Sequence, residues 1–140
     1  MPTFHQPEQE VFIHRHCMQQ LLHEAINHKQ NKCHGLLTGS GNVITNRLSV
    51  TNKPLSAITF SQQYNEKEVI IGTYLATKQR HKKAIEDTLK QLTLKSKQTH
   101  NTPFYYLILY LDHKGRIDAH LYADPELNNP ITLNMREGNS

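Results

Sequence analysis

The sequence predicts an α+β fold, a mixed β-sheet flanked by two main helices. Three stretches carry that reading. Met18, Leu21, Leu22, Ala25 and Ile26 recur at i, i+3, i+4, i+7 and i+8, the spacing of an amphipathic helix. Val69-Ile70-Ile71 opens a buried strand that passes Gly72 and turns into a basic helix. Phe104–Leu111, FYYLILYL, is the most apolar run and reads as a strand buried on both faces.

The remaining elements follow in order. Residues 1–10 form a loose lead-in. Val11, Phe12 and Ile13 mark a short strand, followed by the first helix over about 17–28. Cys33–Gly39 is a strand in which Gly35 implies close approach by a neighbour. Ser40-Gly41-Asn42 makes a hairpin turn, and the return strand spans Val43–Thr51 with a bulge near Asn46-Arg47. Ala57–Phe60 reads as another short strand before a polar link. After the strand from Val69, the second helix uses Ala84, Ile85, Leu89 and Leu92 on its apolar side. Asp112–Gly115 is a turn, and Ile117, Ala119 and Leu121 alternate with polar residues in a strand with one wet face. The segment 124–140, polar and carrying Pro125 and Pro130, reads as an irregular tail. The domain proper is therefore expected over 11–123.

A length of 140 residues suits one domain with one hydrophobic core. The two cysteines, Cys17 and Cys33, form no CxxC pair, which argues against zinc-ribbon and thioredoxin readings. Isolated cysteines suit a reducing compartment. With no signal-peptide core and no apolar run near the length of a membrane span, the expectation is a cytoplasmic protein. The formal net charge of +4 permits nucleic-acid contact without requiring it.

In this order, several short motifs resemble the JAB/MPN domain, also called JAMM after its metal motif. The family's second strand typically reads Glu-x-Cys-Gly-Leu-Leu-x-Gly, and Cys33-His34-Gly35-Leu36-Leu37-Thr38-Gly39 carries the Gly-Leu-Leu-x-Gly core. Asn52 is similar to an Asn the family places after the next strand. Ile71–Lys78 occupies the frame of Val-Gly-x-x-His-Ser-His-Pro, and Tyr106–Asp112 that of Tyr-Leu-Ile-Val-Ser-Leu-Asp. The resemblance spans 11–122 and implies an MPN/cytidine-deaminase-like, three-layer arrangement. Active members of the family it resembles are zinc isopeptidases or peptidases, in which two His and one Asp hold zinc, a Glu is the base and a Ser helps stabilise the oxyanion.

Carried onto this chain, the resemblance places Leu75 and Thr77 at the two imidazole positions and Lys32 at the base. The Ser-x-x-Asp element falls on Ala84 and Asp87 if one residue is deleted, and on Ile85 and Thr88 if none is. Catalytic zinc needs about three protein ligands and an open position for water. Leucine has no lone pair, and a lysine at the base position repels the cation. The resemblance thus implies a non-catalytic MPN-like scaffold without a cofactor, acting through a protein partner, another MPN domain or a second copy of itself.

Two alternatives remain open. One is a metallopeptidase whose zinc ligands are rebuilt from His34, His81 and Asp87. The other is a nucleic-acid-binding module using the basic helix 78–97, with seven basic residues against Glu86 and Asp87. Against the latter, that helix lacks aromatic residues to stack on bases. Plainer readings stand beside the sharper ones. His14 and His16 read either as two metal-ligating imidazoles on one strand face or, more plainly, as surface residues at a strand end, and the plainer reading of His34 is a half-buried, hydrogen-bonded residue. Thr77 caps the next helix. Cys33 fills space in a strand, and Glu86 and Asp87 pair with neighbouring lysines.

Overall fold

The computed structural model describes residues 10–27, 32–49, 69–78, 80–96, 104–112 and 114–137. The elements among them run β1 (Glu10–His14), α1 (Arg15–Asn27), β2 (Lys32–Ser40), β3 (Val43–Ser49), β4 (Val69–Thr77), α2 (Lys82–Ser96), β5 (Tyr105–Leu111), β6 (Ile117–Tyr122) and β7 (Pro130–Arg136). Ala57–Phe60 and Asn52 lie outside the described residues.

The strands close into a barrel in the order β1-β3-β2-β4-β5-β6-β7. This corrects the expected open sheet with a helix layer on each side. Closure comes from β1, which pairs in parallel with β3 on one side and with β7 on the other. The β2–β3, β2–β4, β5–β6 and β6–β7 pairs are antiparallel. The crossover through α2 makes β4 and β5 parallel.

Strand β7 lies where the sequence suggests an irregular tail. Its apolar signal is faint: Ile131 is buried and Leu133 half-buried, while Met135 is exposed. Pro130 sits at its first position, where the missing N–H is tolerated. The preceding turn is built on Asp124, whose carboxylate accepts the N–H groups of Asn128 (3.1 Å) and Asn129 (2.8 Å). Leu127 sits there at φ 62°, its side chain packed against the outer apolar cluster beneath α2.

The two helices take different sides of the barrel wall. α1 buries Cys17, Met18, Leu21 and Ala25 in the same core as the inward-facing Val11, Ile13, Cys33, Leu37, Ile44, Tyr74, Leu107 and Leu109. Its apolar stripe is rotated from the expected one, since Ile26 is exposed and Cys17 buried. α2 covers the outer face of β4 and β5, where Ile85 and Leu89 pack against Leu75, Tyr106 and Ile108. A barrel with one helix on its core side and one outside accounts for the near-complete burial of β4 and β5.

Gly35 shows the close approach the sequence implies. A Cβ there would collide with the carbonyl oxygen of Leu48 and come within 2.8 Å of the Tyr74 ring. The bulge on the β2–β3 hairpin falls between Thr38 and Gly39, with Thr45 as the extra residue on β3, one position before Asn46-Arg47. Gly41 turns the hairpin at φ 61°.

Candidate functional site

Of the residues singled out by the sequence, Lys32, His34, Leu75 and Thr77 lie near one end of the β2–β4 pair. The antiparallel register sets Lys32 opposite Thr77 and His34 opposite Leu75. Leu75 is buried among Ile85, Leu89, Tyr106 and Ile108, so its side chain belongs to the apolar seam under α2. Thr77 is buried at the end of β4, and His34 is half-buried on β2.

Thr77 does not cap α2, which begins five residues later at Lys82. His81 takes that place. Its carbonyl accepts the Ile85 N–H at 3.1 Å, and its Nδ1 accepts the Ala84 N–H at 3.4 Å. Ala84 and Asp87 are both exposed on α2. Glu86 lies 3.9 Å from Lys90, the helical pairing expected of it. His34, His81 and Asp87 are not drawn together: no group of three or more His, Cys, Asp or Glu able to hold a metal occurs among the described residues.

Among the described residues, the positions that the resemblance assigns to imidazoles offer zinc little. One of these positions is an apolar side chain sealed in a seam, and the other is a neutral hydroxyl, a poor donor.

A different cluster, absent from the sequence reading, lies around Glu24 at the C-terminal end of α1. One carboxylate oxygen accepts from Arg47 Nη1 at 2.7 Å and from the Tyr74 hydroxyl at 2.7 Å. The other accepts from the Ser49 hydroxyl at 2.5 Å. Glu24 and Arg47 are 13% and 23% exposed, so this ion pair is largely withdrawn from water. The neighbouring Cys33 thiol is pushed up to about 12, first by burial and then by the Glu24 charge. The Tyr74 phenol is raised for the same two reasons. A thiol held in its neutral form is a poor nucleophile, which supports the space-filling reading of Cys33.

The sequence contains a signal for this cluster. Glu24 falls at i+7 from Cys17 and i+3 from Leu21, on the stripe that α1 buries. A carboxylate on an apolar stripe calls for a cationic partner, and Arg47 supplies it from β3.

With this geometry in view, the comparisons with known proteins bear on the fold. No protein-family model and no curated protein matches the chain. Among solved structures, it is similar to the solution structure of protein DSY2949 from Desulfitobacterium hafniense, with a TM-score of 0.60 at 16% identity, covering 91% of this chain and 94% of that one. It is also similar to the crystal structure of AF2198, a JAB1/MPN domain protein from Archaeoglobus fulgidus, with a TM-score of 0.58 at 16% identity, covering 91% of this chain and 100% of that one. The chain therefore has an MPN-like fold. No helix among the described residues is long and apolar enough to cross a membrane.

Proposed function

We propose that the protein is a non-catalytic MPN-like domain that works by binding another protein. The observation that carries this is the fate of Leu75. At a position where the resemblance calls for a zinc-binding imidazole, the chain has an apolar side chain packed between β4, β5 and α2. Without a metal at this position, no group there lowers the pKa of water toward neutrality. The expected partner is a second MPN-like domain, on another chain or on a copy of this one.

The competing metallopeptidase reading needs His34, His81 and Asp87 to converge. The exposed positions of His81 and Asp87 and the absence of a ligand group among the described residues leave it without support. The test is metal content measured on protein purified without a polyhistidine tag and dialysed against a weak chelator, beside an isopeptide-cleavage assay. The expected result is no stoichiometric zinc and no cleavage. One zinc retained per chain overturns the proposal. Sedimentation at high concentration then separates a second copy from an unrelated partner.

A further inference from the structure

Lys78, Arg80, His81, Lys82 and Lys83 are all exposed, between the end of β4 and the first turn of α2. The helix brings no aromatic ring to this basic segment, but the barrel wall does. Thr77 of β4 lies opposite Tyr110 of β5, and Tyr110 lies opposite Asp118 of β6. The basic segment therefore emerges beside the outer faces of β5 and β6.

On that face, the Arg80 guanidinium carbon sits 4.4 Å from the Tyr110 ring centroid. Tyr110 meets His120 edge to face at 5.6 Å, and His120 stacks with Tyr122 at 6.5 Å and 25°. Tyr110 and Tyr122 are rooted against the apolar seam under α2, while His120 is exposed. Lys114 and Arg116 extend the positive charge from the β5–β6 turn, since Leu111 pairs with Ile117 at the same end.

The nearby acids are mostly engaged. Asp118 lies 3.5 Å from Arg80, and the Asp112 carboxylate accepts the N–H groups of Lys114 and Arg116, each at 2.8 Å. Glu86 and Glu126 both face Lys90, further along α2, and Asp87 is exposed on the helix. Lys78, Lys82 and Lys83 make no ion pair with the described residues.

We propose that this face binds a single-stranded polynucleotide, with bases stacking along Tyr110, His120 and Tyr122 and phosphates held by Lys78, Arg80, Lys82 and Lys83. Charge alone suits any polyanion. The ring row selects among them, because unpaired bases offer π-faces that a duplex keeps stacked and an acidic peptide lacks.

The experiment is fluorescence anisotropy of the full chain with a labelled oligothymidylate of about twelve nucleotides, within the usual range of single-strand site sizes. Four phosphate contacts predict a log–log salt slope of about −3, at roughly 0.7 per contact. His120→Ala is expected to weaken binding about tenfold at fixed salt without changing the slope. Lys82→Gln combined with Lys83→Gln is expected to flatten the slope by about 1.4. All three residues are exposed, and circular dichroism of the variants should match the parent. Neither a duplex of equal length nor poly-glutamate should displace the probe at matched charge. No binding at low salt overturns the proposal. So does a His120→Ala variant of unchanged affinity, which would leave only general polyanion attraction. Displacement by poly-glutamate would overturn it in favour of an acidic protein segment.

Discussion

Glu24 ties α1 to three strands through one carboxylate, reaching Arg47 and Ser49 on β3, Tyr74 on β4, and the Cys33 thiol on β2. Removing one partner of a withdrawn ion pair strands the other, which costs more than the pair itself contributes. Glu24→Ala is therefore expected to lose about 2–3 kcal/mol in urea melts, less than a fully buried pair because Arg47 keeps some contact with water. A double-mutant cycle with Arg47→Ala should show coupling above about 0.5 kcal/mol. The Cys33 thiol adds a pH dependence. In the unfolded chain it ionises near its ordinary value of 9.0, whereas in the fold it holds its proton to about 12. Its contribution is thus fully present below pH 9 and is lost as pH rises from there toward 12. Urea melts at rising pH should show this loss reduced in Cys33→Ala, and a thiol reagent at pH 8 should leave both buried cysteines of the native protein unmodified.

At the level of elements, β2 and β4 fit because Gly35 leaves room for the Tyr74 ring, which then reaches Glu24. Gly35→Val is expected to cost about 1–3 kcal/mol from overpacking, at the upper end because its Cβ would meet backbone rather than a movable side chain. Asp87→Ala, on the exposed side of α2, is expected to cost under about 0.5 kcal/mol. Urea melts giving the reverse order would contradict this packing. The α2 seam adds a related expectation. Leu75→His would place an imidazole among Ile85, Leu89 and Ile108, and should lower stability by about 2 kcal/mol or more through lost packing and polar burial.

For the whole molecule, β7 turns a sheet into a barrel. Glu10–His14 pairs residue for residue with Thr132–Arg136, and Arg15 meets Glu137 at 2.7 Å just beyond. Without β7, both β1 and β6 would present unpaired backbone groups at sheet edges. Deleting residues 130–140 is expected to abolish the cooperative thermal transition and raise binding of a hydrophobic dye, since Val11 and Ile13 lie on the strand that loses its neighbour. A truncated chain that melts like the parent would show closure to be dispensable.

The sequence by itself determined most of the elements and the packing demand at Gly35. Those features depend on local periodicity, turn residues and the absence of a side chain, all readable within a few neighbours. The motif order from Cys33 to Asp112 also pointed to the MPN-like fold before any contact was visible. Closure of the barrel was not legible, because β7 carries one buried residue, Ile131, beside one half-buried one, Leu133, and takes its stability from pairing with residues more than a hundred positions away. The start of α2 was misplaced because β4 continues to Thr77 in the parallel pairing with β5, a long-range constraint that helix propensity does not contain. The Glu24–Arg47 pair and the ring row beside the basic segment were likewise settled by tertiary structure. Each joins polar or aromatic residues from separate elements, and only the register of β2–β6 and the docking of α1 bring them within reach.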